Sequence, residues 1–233
     1  MTGEQHNSYI VFEYHPTRSG EVANEFFKDF NGFLQCDGYS GYNALRLKAG
    51  VTVVGCFTHV RRKFVDIIKN TKTPGKAIEA IRFLQQLYKL ERQAKEMHPI
   101  ERKYFRELRA KPILKSFKFW LTATKKIAPP KSPLGLAIGY ALNQWEYLSN
   151  YLKDGRVSIC NNWAENQIRP FALGRKNWGM HTSSRGARSS AVLYSLAITC
   201  KARKIDPYEY FLKVLTQAPY CKSRDDWEKL VPE

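Results

Sequence analysis

Two carboxylates stand out by where they fall in the chain. Asp37 ends the run Gly32-Phe-Leu-Gln-Cys36 and is followed by Gly38, which places it at the C-terminal end of a strand, where α/β sheets present functional groups. The placement suits a ligand for a hard cation, and equally a turn aspartate that hydrogen-bonds its own backbone. Glu165 lies in Asn161-Asn-Trp-Ala-Glu-Asn-Gln-Ile-Arg-Pro170, where Asn162 suits a helix N-cap and Glu165 the matching position of a capping box, a purely local use. Its company argues for more. Between residues 161 and 204 it is the one acidic side chain among eight cations: Arg169, Arg175, Lys176, Arg185, Arg188, Lys201, Arg203 and Lys204. Such a carboxylate can hold Mg²⁺ while the cations and the amides of residues 174–186 hold phosphates. Trp178, His181, Ser183 and Ser184 suit contacts to bases or sugars, and Trp178 equally suits a core.

Cys56 and His59 have the spacing of a metal-ligand pair, but no second pair at zinc-site spacing completes a ligand set. A structural role at the end of a strand is favoured. Arg61, Arg62 and Lys63 follow directly, and are either phosphate contacts or a solvated helix face; nothing local decides.

Composition points to the partner. The chain has 233 residues, and its 38 Lys and Arg against 21 Asp and Glu leave a formal charge of +17, which calls for a polyanion, DNA or RNA first. A solvated Lys-rich surface is the bland alternative. Residues 1–60 hold four Lys/Arg against six Asp/Glu, whereas residues 61–126 hold nineteen against six, so the basicity begins after position 60. The five cysteines form no C-x-x-C pair, and their odd number argues against a secreted disulfide framework. No apolar run nears the roughly 20 residues of a membrane span, and the first eight residues lack signal-peptide character, so a cytoplasmic location without membrane contact is expected.

The elements that must position these residues follow from hydrophobic period and punctuation. Residues 9–14 read as a strand, 20–30 as a helix, 32–36 as a strand ending at Asp37, and 51–56 as a third, nearly continuous apolar strand. That order is α/β. Helical segments then run near 60–70, 76–96 and 99–110, before the aromatic stretch at 117–120. Ser132-Pro133 opens a helix carrying Ile138, Ala141, Leu142, Trp145, Leu148 and Leu152 at helical spacing, which Asp154-Gly155 closes. Residues 185–203 form an amphipathic helix with Leu193, Leu196, Ala197 and Cys200 inward, and Asp206 starts one more.

Three motifs taken together carry a family resemblance: Leu34-Gln-Cys-Asp-Gly-Tyr-Ser-Gly-Tyr42, Cys56-Phe-Thr-His-Val-Arg-Arg-Lys-Phe64, and the run from Asn161 to Trp178 containing Gly174-Arg-Lys-Asn-Trp178. In order and spacing they resemble the catalytic region of insertion sequence 66 family transposases. Tyr14-His-Pro-Thr-Arg-Ser-Gly20, Ser195-Leu-Ala-Ile-Thr-Cys-Lys201 and Asp206-Pro-Tyr208 extend the likeness across nearly the whole chain.

The resemblance implies an RNase H-like fold with an Asp-Asp-Glu site, in which Asp37 is the second Asp and Glu165 the Glu, and a large helical insertion between them. It implies Mg²⁺ or Mn²⁺ as cofactor and two-metal cleavage and transfer of DNA strands. Cys56, His59, Asn161 and Asn162 would support the site. Arg61, Arg62, Lys63, Arg169, Arg175, Lys176, Asn177, Arg185 and Arg188 would contact DNA. Transposon ends and target DNA are the implied partners, with a homo-oligomeric synaptic complex associated with a bacterial nucleoid. The family's first catalytic Asp belongs to a strand ahead of residue 9, where this sequence offers only Glu4 as an acid. A portion lacking that strand, the strand beside it and the N-terminal regions is therefore expected: a truncated, decayed or split copy, completed in the last case by a separately encoded N-terminal half and inactive alone. Cys160 stands where the family usually has Asp, and Asn166 where Arg usually follows the Glu. The expected division is 1–60 partial core, 61–157 basic helical insertion, 158–204 Glu segment and core helix, and 205–233 helical tail. Two alternatives stand beside this reading: a non-catalytic DNA-binding or regulatory remnant, and an unrelated RNase H-like nuclease.

Overall fold

The computed structural model describes residues 8–71, 75–179 and 181–232, without the side chains of Arg175 and Trp178. The expectations for those two side chains and for the stretch around Glu4 lie outside the described residues. The chain divides into two compact units, Arg18–Trp163 and Met1–Thr17 with Ala164–Glu233.

In the unit Arg18–Trp163, helix α1 (Gly20–Phe26) leads into strand β1 (Gly32–Gln35), and two single 3-10 turns, Ser40–Tyr42 and Ala44–Leu47, lead into β2 (Val51–Val54). The strands are parallel, paired from Gly32↔Val51 to Gln35↔Val54. Lys48 donates to the carbonyls of Phe27 and Lys28 just past α1, a cation where the helix dipole is negative. Gly50, at φ +78°, makes the bend into β2 that a side chain would resist.

Helix α2 (Phe57–Asn70) begins at once, followed by α3 (Lys76–Gln93), α4 (Pro99–Phe105), a π-helical turn Arg106–Ala110, α5 (Lys111–Lys125), α6 (Pro133–Asn143) and α7 (Trp145–Ser149). Their periodic apolar residues close one core in which Val54, Phe57, Phe64, Leu84, Phe117, Ile138 and Leu148 are buried. The helices after residue 60 thus share a core with β2. The aromatic stretch serves this core: Phe117 is buried, and the Trp120 indole donates to Glu79 at 2.7 Å. Ser132 caps α6 by accepting from Gly135 N–H at 3.1 Å, and Ile138, Ala141, Trp145 and Leu148 are buried as their spacing requires.

Two arginines of the basic segment are not surface charges. Arg106, 1% exposed, grips both Glu91 carboxylate oxygens at 2.9 and 2.6 Å and donates to the carbonyls of Tyr151 and Asp154. Arg102 donates to the carbonyls of Ala94, Lys95, Met97 and Gly155. A buried guanidinium that makes four such hydrogen bonds is a clamp on surrounding chain. Gly155 can have no side chain there, because a Cβ would run into the Pro99 carbonyl.

The other unit holds most of α8 (Asn162–Trp178), then α9 (Ser184–Arg203), α10 (Pro207–Gln217) and α11 (Arg224–Glu228). Asp206 caps α10, accepting from Tyr208 N–H at 2.7 Å. Residues 9–14 are not a strand, contrary to their β-like pattern. Their backbone is satisfied by hydroxyls on α9 instead: Ile10 N–H donates to Thr199 Oγ1 at 2.9 Å and Phe12 N–H to Ser195 Oγ at 2.7 Å. Alternate residues of an extended chain match one helical turn in length, so Ser and Thr four apart serve both. The buried side of α9 is Ala187, Ala191, Ile198, Thr199 and Cys200, whereas Leu193, expected inward, is 54% exposed. The α/β class therefore holds in a strongly helical form, with two strands among the described residues where three were expected.

Candidate functional site

Parallel strands in register end side by side, so whatever follows them is gathered at one edge. Asp37 and Cys56 each come two residues after their strand, Gln35 and Val54 being register partners. Asp37 is partly buried, and its Oδ1 accepts the Tyr39 N–H at 3.0 Å. The turn-aspartate use of this side chain is therefore real. It leaves further carboxylate lone pairs for a cation.

Aromatic rings surround this turn. Tyr39 and Tyr42 meet edge to face at 5.7 Å, and the Tyr39 hydroxyl donates to the Arg18 carbonyl at 2.6 Å. Tyr140 arrives from α6 and lies so close to Gly38 that a Cβ there would sit 2.8 Å from both its Cε2 and its hydroxyl. Burial pushes the Tyr140 phenol up, and negative charge at Asp37 and Cys56 pushes the same way. Burial likewise raises Tyr42, again reinforced by Asp37. The Cys36 thiol is pushed up to about 11 by burial, with Arg46 opposing and Asp37 reinforcing. Lys63 Nζ stands 4.6 Å from the centre of the Tyr140 ring, bringing a cation towards the same turn.

The second strand end gathers the approach to α8. Gln35 donates to the Ser158 carbonyl at 2.7 Å, Phe57 N–H to the Ile159 carbonyl at 3.2 Å, and Asn161 N–H to Cys56 Sγ at 3.5 Å. Cys56 is buried; burial raises its thiol, and the amides of Asn161, His59 and Thr58 act the other way. A neutral, amide-held thiol braces chain rather than attacking a substrate. Cys56, His59 and Asn161, three of the four residues expected to support the site, thus come together around the start of α2. Tyr88 joins them through a 2.9 Å hydrogen bond between its hydroxyl and that of Thr58.

Glu165 lies in the first turn of α8 and belongs to the other unit. The helix begins at Asn162, one residue earlier than a cap at that position implies. Arg61, Arg62 and Lys63 are exposed on α2, as are Arg169, Lys176 and Asn177 on α8 and Arg185 and Arg188 on α9. Among the described residues no group of three or more His, Cys, Asp or Glu side chains is placed to hold a metal ion. Asp37 offers a suitable oxygen donor for Mg²⁺, an ion that one or two carboxylates hold together with waters and substrate phosphates. Among the described residues no helix is long and apolar enough to cross a membrane.

Sequence reasoning missed Tyr140 and Tyr88. Each reads locally as one aromatic residue on an amphipathic helix, and only the tertiary packing brings it to a strand end.

Comparison with known proteins gives a consistent result. Residues 1–189 match the family model described as Transposase IS66 family, and residues 195–232 match that of the IS66 C-terminal element. Three uncharacterized proteins of Sinorhizobium fredii (strain NBRC 101917 / NGR234) are similar in sequence. The chain is 35% identical to y4hP over 86% of its own length and 39% of that protein's. For y4jD the identity is 33%, over 88% and 41%, and for y4qI it is 31%, over 96% and 42%. The chain thus spans about two fifths of the length of these relatives. No solved structure matches.

Proposed function

We infer, because the chain belongs to the IS66 transposase family, that it serves DNA transposition as part of a DDE-type transposase with an RNase H-like core. Asp37 and Glu165 each contribute a carboxylate to divalent-cation binding beside DNA. The observation that carries this reading is the strand-end arrangement. Asp37 follows β1, Cys56 follows β2, and residues 158–161, the approach to the helix of Glu165, are hydrogen-bonded to those same strand ends. A sheet edge of this kind is where α/β proteins assemble sites from separate segments.

In this reading the backbone does the positioning. Gly38 lets Tyr140 close over the turn, the Tyr39 amide fixes one oxygen of Asp37, and Cys56 holds Asn161 through its amide. Exposed cations on α2, α8 and α9 bind phosphates and give salt-sensitive affinity for DNA. A divalent ion, once bound, would supply Lewis-acid activation of a phosphodiester. In this reading the site is incomplete in the chain alone, which binds DNA without nicking or joining it. A second reading, a non-catalytic DNA-binding protein that keeps the surface and not the chemistry, draws on the same exposed cations of α2, α8 and α9.

Duplex binding followed across a salt titration, with strand-nicking assays in Mg²⁺ and Mn²⁺, tests both. Salt-sensitive binding without nicking is expected. Robust strand transfer by the purified chain, abolished in Asp37→Asn, would overturn the incomplete-site reading, and absence of DNA binding would overturn the function itself.

A further inference from the structure

Within the unit of Met1–Thr17 and Ala164–Glu233 lies a cavity of about 730 Å³, in the size range of small-molecule sites. Phe12, Ile168 and Phe171 supply its apolar side, and His181, Ser183 and Ser184 its polar side. The Phe12 and Phe171 rings are 6.1 Å apart at 35°, and Phe171 and His181 6.5 Å apart at 41°. These rings are held from behind: Phe12 N–H is bound to Ser195, and Tyr194 packs edge-on against Phe171 at 5.0 Å. The cavity therefore does not depend on loose side chains.

Its polar features ask for a particular occupant. His181 Nε2 is buried and meets no hydrogen-bond partner among the described residues, which is costly unless a ligand supplies one. Ser183 Oγ is engaged by Gly186 N–H at 3.1 Å, while Thr182 and Ser184 are exposed at the mouth. Beside lining residues Ser184 and Ala187 stand the exposed cations Arg185 and Arg188. Glu13, the one carboxylate in the lining, is paired with His15 at 3.2 Å. An aromatic slot, an unsatisfied imidazole nitrogen buried in its wall and cations next in sequence to its lining residues match a planar heterocycle on an anionic backbone. An apolar peptide side chain would leave the imidazole nitrogen and both arginines unused.

We propose that this cavity receives a single unstacked nucleobase of a DNA strand, with Phe12 and Phe171 against its face, His181 Nε2 at its edge and Arg185 and Arg188 on the flanking phosphates. The proposal rests on the DNA-binding reading above and adds a site to it. Extruded or single-stranded bases are held in this way, by aromatic faces and edge hydrogen bonds.

The test uses the full chain and a single-stranded oligothymidylate carrying 5-bromouracil, with an abasic oligonucleotide of equal length as control. Ultraviolet crosslinks are expected at Phe12, Phe171 or His181. The oligothymidylate should bind more tightly than the abasic strand, on the order of tenfold for one stacked base. Phe171→Leu and His181→Ala should shrink that difference and leave the salt dependence unchanged. If neither strand binds, the DNA-binding reading falls and this inference falls with it. If both strands bind equally and the crosslinks map elsewhere, the inference alone falls. Because the crosslinks and the strand comparison are read on the wild-type chain, a variant that fails to fold does not decide the outcome.

Discussion

The unit Arg18–Trp163 buries two arginines while exposing others such as Arg61 and Arg62, whereas three arginines singled out in the unit of Met1–Thr17 and Ala164–Glu233 are displayed. Arg102 and Arg106 are 6% and 1% exposed and spend their donors on carbonyls and on Glu91, while Arg169, Arg185 and Arg188 are exposed. The first unit has a continuous apolar core from β2 through α7; the second contains the cavity. The same residue type thus has two uses: in a dense core a guanidinium organises chain, and on a surface it is placed to meet an anion. A formal charge of +17 therefore overstates the surface available for DNA.

Substitutions can break or sharpen that contrast. The largest effect is expected from Arg106→Ala, which strands Glu91 and two carbonyls: a loss of about 3–5 kcal/mol in urea unfolding, against less than about 0.5 kcal/mol for Arg185→Ala, a surface change. Equal losses at both positions would erase the distinction. Gly38→Ala should cost about 1–3 kcal/mol by overpacking against Tyr140, and Tyr140→Ala in the same chain should recover part of it. In the other unit, Ser195→Ala should cost about 1 kcal/mol and speed amide hydrogen exchange at Phe12 more than at Ile10, which Thr199 holds. For DNA binding the order reverses: Arg185→Ala should lower the slope of log K against log salt by about 0.9 if it holds one phosphate, and Arg106→Met, assayed where it is folded, should leave it unchanged.

The smallest effect appears only in alkali. Burial pushes the Tyr210 phenol from 10.0 up to about 12, and its hydroxyl donates to the Leu230 carbonyl at 2.7 Å. The folded state keeps this proton longer than the unfolded state, so the contribution is complete below pH 10.0 and is lost as pH rises towards 12. Tyr210→Phe should therefore flatten the stability profile above pH 10.

Much of this was legible because it is local. The Ser132 and Asp206 caps and the glycine-led turn after Asp37 depend on neighbours in sequence and formed as expected; the single helix expected from Ser132 to Asp154 breaks at Gln144, though Ile138, Ala141, Trp145 and Leu148 are still buried. Residues 9–14 misled because aromatic and β-branched alternation records a half-buried extended chain without saying what pairs with it; here Ser195 and Thr199 do. The burial of Arg102 and Arg106 was not legible, because a cation on a helix looks the same in sequence whether it points to water or to buried carbonyls. Tyr140 was invisible at Asp37 because about a hundred residues separate them in the chain. Leu193 was assigned inward by period alone, and the neighbouring Ala191 and Ile198 took the buried side of α9 instead.

The central proposal is that Asp37 and Glu165 each contribute a carboxylate to divalent-cation binding beside DNA. Its most direct test is Mn²⁺ retention by electron paramagnetic resonance on the DNA-bound chain, comparing wild type, Asp37→Asn, Glu165→Gln and the double variant. The account predicts that each single change weakens Mn²⁺ retention relative to wild type. Retention unchanged in either single variant would contradict it.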